Sequence, residues 1–287
     1  MNFSTIKNFF GNSKMDIKQP LIVDKQFEMK QMPTMGINKD TIVDQNKQQD
    51  TEFVVTEGES TVQPTETPKQ YPNLVVVLDP GHASSTAGKR SPYSLGKVSE
   101  PALPLEEWAY VRDITYRVKE ILNKYGIEVF VTTTFKEDGE TDLGLSKRAQ
   151  RANAYVKDSS KKGLLISIHA DADGMGDKWT KAHGWSCFTT KGQNNSDKLA
   201  DCLYDAAEEI LPKYEMTIRT DKKDGDRDWE EDFTVLYKAN MPAVLTENLF
   251  YTNIKDCEFL ISDKGRDAIV DIHVKGILKF AETFYKM

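Results

Sequence analysis

Several features are scarce or missing in this chain of 287 residues, and each absence excludes a class of protein. The three cysteines, Cys187, Cys202 and Cys257, are too irregularly spaced for a zinc ribbon or a disulfide framework, so we expect buried free thiols. No apolar run approaches the roughly 20 residues of a membrane-spanning helix. The formal net charge of −7 argues against a nucleic-acid-binding protein, which normally presents a basic face. The opening stretch MNFSTIKNFFGNSKMD has no signal-peptide pattern, so we expect synthesis and folding in a cytoplasm.

The first 72 residues also lack the marks of a packed domain. They contain no Trp, Cys or His, and the stretch from Gln45 to Gln70 is rich in Gln, Thr, Glu and Pro. Such a segment buries too little apolar surface to offset the entropy lost on ordering. We therefore predict a polar amino-terminal segment and linker over residues 1–72, largely disordered or serving as an anchor, and a folded domain over residues 73–287.

From residue 74 onward, strand and helix patterns alternate. The predicted strands are Leu74–Asp79, Glu128–Thr133, Leu164–His169, Trp185–Thr190 and Ala243–Glu247. The predicted helices are Glu107–Tyr125, Leu145–Val156 with its basic residues outside, Ser196–Leu211 and Gly265–Tyr285. This alternation predicts an α/β fold with a mostly parallel twisted sheet and helices on both faces. The charged stretch 213–235 is predicted to be an exposed loop.

Polar residues stand where three of the predicted buried strands end. His82 follows the first strand in LVVVLDPGH, His169 ends the third, and Glu247 ends the last. Because α/β sheets bind ligands at the carboxyl ends of parallel strands, we expect these three side chains to cluster. Glu107 lies four, seven and eleven residues before Val111, Ile114 and Val118. This spacing places Glu107 on the same buried face of the predicted helix as these apolar residues. Glu106 points about 100° away from that face.

Two imidazoles and one carboxylate are typical of a catalytic zinc site that leaves a fourth position for water. Zinc lowers the pKa of that water and polarises a carbonyl, and Glu247 can then serve as general base and general acid. The residues alone leave the alternative open, because a histidine at a strand end is commonly a hydrogen-bonded structural residue. No two candidate ligands have a local spacing such as His-x-x-x-His. We assign neither His183 nor His273 to metal.

The segments LDPGH, SIHADA and PAVLTENLFYTN, in this order, resemble the zinc-dependent N-acetylmuramoyl-L-alanine amidases of the Amidase_3 type. The resemblance covers roughly residues 73–285. It implies zinc ligands at His82, Glu107 and His169, a catalytic glutamate at Glu247, and cleavage of the amide between N-acetylmuramic acid and L-alanine of peptidoglycan.

The chain departs from this family in one loop. Ala83-Ser84 replaces the Gly-Gly that follows the first histidine in many members, and the insertion before Glu107 resembles the phage endolysin and Bacteroidetes-type branch. A wall substrate without an export signal favours a phage lysin, released through a holin or carried in a virion, over a bacterial remodelling enzyme with an atypical export route. Residues 1–72 could then anchor the enzyme to a particle, target it to the wall or inhibit it. The alternatives are a zinc peptidase of the stem peptide and a non-catalytic peptidoglycan-binding protein. Candidate substrate contacts are Lys89, Arg90, Trp185 and residues 226–229, although a role as a solvated loop residue is favoured for each of them.

Overall fold

The computed structural model describes residues 68–94, 101–133, 142–174, 176–223 and 225–287. All of them belong to one compact unit, Gln63–Met287. The predicted disorder or anchoring of the amino-terminal segment concerns mainly residues 1–67, which lie outside the described residues. The strands are β1 (Leu74–Pro80), β2 (Glu128–Val131), β3 (Lys162–Asp171), β4 (Ser186–Thr189), β5 (Trp229–Glu230) and β6 (Ala243–Phe250). The helices are α1 (Glu107–Lys124), α2 (Leu145–Ser159), α3 (Asn195–Ile210), α4 (Thr234–Tyr237), α5 (Ile254–Ile261) and α6 (Asp263–Phe284).

The strands form one sheet in the order β2-β1-β3-β6-β4-β5. The first four strands in this order are parallel, β4 runs antiparallel to β6, and β5 runs parallel to β4. The carboxyl ends of β1, β3 and β6 therefore meet at one edge. None of the described helices is long and apolar enough to cross a membrane.

Every residue of β1 is buried because helices pack on both faces of the sheet. Leu74, Val76 and Leu78 contribute to the larger core, which also contains the apolar faces of α1, α3 and α6. Val75 and Val77 point the other way and contribute to a smaller core with residues of α2 and α4. The predicted mostly parallel sheet with helices on both faces is confirmed, and so are the buried free thiols.

The structure corrects several local predictions. Residues 213–235 are not simply an exposed loop, because they contain β5 and the start of α4, and Asp228 within them is 1% exposed. Arg148 on α2 is also 1% exposed, although the basic residues of this helix were expected outside. Phe284 is 39% exposed, although the apolar pattern of the closing helix predicts it on the inner side together with Ile269, Ile272, Ile277 and Phe280. The packed region also extends back to Tyr71, which is buried and donates its hydroxyl to Glu282.

Candidate metal centre and active site

The four predicted site residues converge at the carboxyl edge of the sheet. His82 lies just beyond β1, Glu107 is the first residue of α1, and His169 on β3 is the direct neighbour of Glu247 on β6. All four line one cavity of about 270 Å³. The other lining residues are Ala87, Gly88, Lys89, Ala170, Asp171, Ala172, Gly174, Gly176 and Tyr251.

Glu107 lies between the two histidines. Its Oε2 is 3.3 Å from Nε2 of His82, and its Oε1 is 3.1 Å from Nδ1 of His169. Oε1 also accepts a hydrogen bond from the backbone N–H of Ala170 at 3.1 Å. Although Glu107 is 1% exposed and burial opposes its ionisation, the adjacent imidazoles of His169 and His82 outweigh burial and lower its pKa to about 2. The carboxylate is therefore ionised.

Glu106, the competing carboxylate, faces elsewhere. It accepts a hydrogen bond from the indole N–H of Trp108 at 2.7 Å and pairs with Arg90 at 3.6 Å. Helix α1 is therefore oriented as its apolar pattern predicts, with Glu107 facing the two histidines and Glu106 facing away from them. Arg90, a candidate substrate contact, forms an ion pair with Glu106.

Two buried arginines hold the backbone that carries His82, whose φ of +57° lies in the left-handed region that non-glycine residues rarely adopt. Arg112 donates to the carbonyls of Gly81 and His82 at 3.2 and 2.8 Å. Arg148 donates to the carbonyls of Pro80 and His82 at 2.6 and 3.3 Å. Backbone strain of this kind persists where the surroundings over-determine the conformation, as they do here.

Asp79 neutralises one of these arginines. It is fully buried, and its Oδ1 lies 3.0 Å from Nη1 of Arg148. The hydroxyl of Ser167 donates to its Oδ2 at 2.8 Å, and that of Thr132 donates to Oδ1. The buried charge pair is therefore hydrogen-bonded on both sides, as a buried ion needs to be.

Gly81 allows His169 to sit against the β1 turn. A Cβ at Gly81 would lie 2.4 Å from Cε1 and 2.5 Å from Nδ1 of the His169 ring. Real side chains do not tolerate such separations, so any larger residue would displace the imidazole. The glycine of the DPGH motif thus makes room for the second histidine.

A buried hydrogen-bond network supports His169 from behind. Nδ2 of Asn248 donates to the His169 carbonyl at 2.8 Å and to the hydroxyl of Thr246 at 3.2 Å. His273 completes the chain, with Nε2 3.0 Å from the Thr246 hydroxyl and Nδ1 2.7 Å from the Ile269 carbonyl. Because a carbonyl only accepts, Nδ1 carries the proton and Nε2 accepts from Thr246. Burial lowers the pKa of His273 to about 4, so this ring is neutral and structural.

Glu247 is half-buried and faces the cavity. Its Oε2 is buried and has no hydrogen-bond partner among the described residues. Burial and the negative charges of Asp171 and Glu107 raise its pKa well above the usual value, although Lys89 and Arg219 act in the opposite direction. A carboxyl group in this setting is a stronger base than an exposed glutamate.

The donor set fits zinc. Two histidines and one glutamate each offer a ligand atom, and these atoms all lie within 4.8 Å of one another. In a tetrahedral zinc site with ligand distances of about 2.0–2.1 Å, neighbouring ligand atoms are about 3.3 Å apart, and Nε2 of His82 lies 3.3 Å from Oε2 of Glu107. Oε2 of Glu107 is buried and forms no hydrogen bond with the described residues, as expected of an atom that binds a cation.

Other residues near the centre were not singled out from the sequence. Asp171 pairs with Arg219 at 3.1 Å and lines the cavity, as does Tyr251, which falls within the motif PAVLTENLFYTN. Among the candidate substrate contacts, Lys89 lines the cavity, whereas Trp185 is fully buried and donates its indole N–H to Asn248. Trp185 is therefore part of the core and not of the groove.

The fold and the site define a candidate metal centre, with an adjacent acid, at the carboxyl edge of an α/β sheet. The chain belongs to the N-acetylmuramoyl-L-alanine amidase family, whose model matches residues 76–279. It is 29% identical over 204 residues to the endolysin of Bacillus phage SPP1, which covers 71% of this chain and 64% of the endolysin. It is 28% identical over 209 residues to the probable cell wall amidase LytH of Staphylococcus saprophyticus, covering 73% of this chain and 59% of that protein.

The chain thus spans less than two thirds of the length of these two relatives. Among solved structures, the N-acetylmuramoyl-L-alanine amidase from Clostridium difficile 630 matches with a TM-score of 0.56 at 24% identity. The match covers 75% of this chain and 100% of that one. At this level of identity the likeness establishes the shared fold.

Proposed function

We propose that this chain is a zinc-dependent N-acetylmuramoyl-L-alanine amidase, which hydrolyses the amide between N-acetylmuramic acid and the L-alanine of the peptidoglycan stem peptide. The observation that carries the proposal is the convergence of His82, Glu107, His169 and Glu247 in one cavity of a chain that belongs to this family. The phage endolysin and LytH relatives are consistent with a wall substrate.

His82, Glu107 and His169 are the residues that hold the metal in this proposal. Zinc, when bound there, supplies Lewis acidity that acidifies a water molecule and polarises a carbonyl. The low pKa of Glu107 keeps this carboxylate ionised. Arg112 and Arg148 donate hydrogen bonds to the backbone carbonyl of His82 and so hold the first imidazole in position. Such preorganisation lets the site bind a cation without first ordering its ligands.

Glu247 is the proposed proton carrier. Glu247 lines the cavity, and no described residue forms a hydrogen bond with its Oε2. We therefore assign this carboxylate to accept the proton of an attacking water and deliver it to the departing alanine nitrogen. Lys89 is the only lysine or arginine among the described residues that line the cavity. We assign its ammonium to the negative charge that develops on the carbonyl oxygen, where an oriented cation lowers the barrier.

The proposal is tested by the products of purified peptidoglycan digested with the zinc-loaded protein. An amidase releases intact stem peptides with a free L-alanine amino group, and mass spectrometry identifies them. Cleavage between stem amino acids would instead establish the peptidase alternative. Binding to sacculi without any released peptide would establish the non-catalytic alternative.

We further propose that residues 73–287 are the catalytic unit of a lysin that reaches the wall through a holin or in a virion, with the amino-terminal segment as its anchor. Because Tyr71 hydrogen-bonds to Glu282 and to the carbonyl of Tyr125, the truncated protein that tests this division should begin at Pro68. That protein is expected to digest purified peptidoglycan as well as the full chain but to lose attachment to particles or cells. Loss of hydrolysis by the truncated protein would refute the division.

A further inference from the structure

A second group of acidic residues lies away from the histidines, between α3 and β5. Asp197 is in the first turn of α3, and Asp226 and Asp228 directly precede β5. Each offers one carboxylate oxygen, and the three oxygens lie within 4.8 Å of one another. We call Asp197, Asp226 and Asp228 the aspartate cluster.

The cluster contains two buried oxygens that form no hydrogen bond with the described residues. Asp228 is 1% exposed, and its Oδ1 is buried without a hydrogen-bond partner among the described residues. Oδ1 of Asp226 is in the same condition. The other oxygen of each of these two residues accepts a hydrogen bond: the hydroxyl of Thr189 donates to Oδ2 of Asp228 at 2.5 Å, and the side-chain amide of Gln193 donates to Oδ2 of Asp226. An unpaired buried carboxylate oxygen is costly, and two of them in one cluster point to a missing partner.

No lysine or arginine in the described part of the chain forms an ion pair with the cluster. Arg227 lies between Asp226 and Asp228 in sequence, but its guanidinium turns toward α3 and pairs with Asp201 and Asp205 at 2.7 and 2.9 Å. Burial and the neighbouring charges of Asp226 and Asp197 consequently raise the pKa of Asp228 to about 7. The like charges need a cation or a proton between them.

We propose that the aspartate cluster binds a calcium ion. Its donors are all carboxylate oxygens, the ligand type that calcium prefers, and no imidazole or thiolate that would favour zinc belongs to it. Calcium–oxygen distances are about 2.3–2.6 Å, so two ligands of one ion lie at most about 5 Å apart. The separations within the cluster meet this limit, and water can complete the shell.

A calcium ion bound to the aspartate cluster would stabilise β5, the edge strand of the sheet. β5 has only two residues, and Trp229 within it directly follows Asp228. The guanidinium of Arg219 lies 5.1 Å from the Trp229 ring and also pairs with Asp171, which lines the cavity beside Glu247. The ion would join the start of α3 to β5 and so support this wall. This role is independent of the proposed amidase reaction.

Terbium luminescence tests the proposal, because Tb³⁺ substitutes for calcium and the adjacent Trp229 can sensitise its emission. The full chain, preloaded with zinc so that the histidine site is filled, is titrated with Tb³⁺ under tryptophan excitation. We expect a saturable signal that excess Ca²⁺ displaces and that Asp228→Asn abolishes. Glu231→Gln removes an exposed carboxylate from the same segment and is expected to leave the signal unchanged. Absence of a saturable signal, or an equal signal from Asp228→Asn, would overturn the proposal.

Thermal unfolding distinguishes a cation from a shared proton. With calcium bound, millimolar Ca²⁺ raises the melting temperature of the wild type and of Glu231→Gln but not that of Asp228→Asn. If the cluster instead holds a proton, Ca²⁺ leaves the wild type unchanged, and Asp228→Asn melts higher than the wild type above neutral pH. That second pattern would refute the calcium site.

Discussion

Gly81→Ala is the substitution whose effect follows most directly from the geometry. The new Cβ would stand 2.4 Å from Cε1 and 2.5 Å from Nδ1 of the His169 ring, whereas ordinary contacts begin at 3.4 Å. The ring must therefore retreat by about 1 Å, away from its position 3.1 Å from Glu107. A misplacement of about 1 Å at a reacting centre costs about 10²-fold in rate. Zinc affinity should fall by about 10–100-fold, as it does when the support of a metal ligand is disturbed.

The assays are zinc affinity by competition with a chelator and kcat/KM on purified peptidoglycan. Gly144→Ala is the matched control, because Gly144 has a φ of −54° and its added Cβ would meet nothing within 4 Å. The three atoms nearest to the added Cβ all belong to the His169 ring, so Gly81→Ala should lower the free energy of unfolding less in a His169→Ala background than in the wild type. Wild-type zinc affinity and turnover in Gly81→Ala, or an equal stability loss in both backgrounds, would refute the reasoning.

Three further predictions address the acid, the buried charge and the buried histidine. Glu247→Gln should fold and retain zinc but lose about 10²–10⁴-fold in turnover; near-normal turnover would contradict its role. Arg148→Met should lower the free energy of unfolding, measured in urea, by about 3–5 kcal/mol because it leaves Asp79 buried and unpaired; a loss below about 1 kcal/mol would contradict that pairing. His273 has a folded pKa of about 4 against 6.5 unfolded, so the unfolded state binds the proton first and stability falls as pH drops from 6.5 toward 4. At pH 5 the loss attributable to His273 is about 2 kcal/mol, and it should vanish in His273→Gln; parallel pH profiles for the two proteins would exclude it.

Much of the candidate site could be predicted because its residues stand at the ends of buried strands. The apolar runs before His82 and His169 leave few alternatives to strands covered on both faces, and parallel strands bring their carboxyl ends together. The helical phase of α1 likewise distinguished Glu107 from Glu106. These conclusions needed only local patterns and one rule of topology.

The supporting residues could not be predicted in the same way, because tertiary contacts override their local pattern. Arg148 belongs to a basic helix, and only the buried carboxylate of Asp79 accounts for its position inside the protein. β5 is two residues long within a charged stretch, so no strand periodicity could reveal it. The burial of Asp228, which immediately precedes this strand, could not be predicted from the charged stretch either.

Hydrolysis in ¹⁸O-labelled water tests the central claim most directly. Purified peptidoglycan is digested with the zinc-loaded protein, and the fragments are analysed by mass spectrometry. The account predicts that ¹⁸O enters the lactyl carboxylate of muramic acid and that the released stem peptides begin with an unlabelled, free L-alanine amine. Label in a carboxylate of the stem peptide, with alanine still attached to muramic acid, would contradict it.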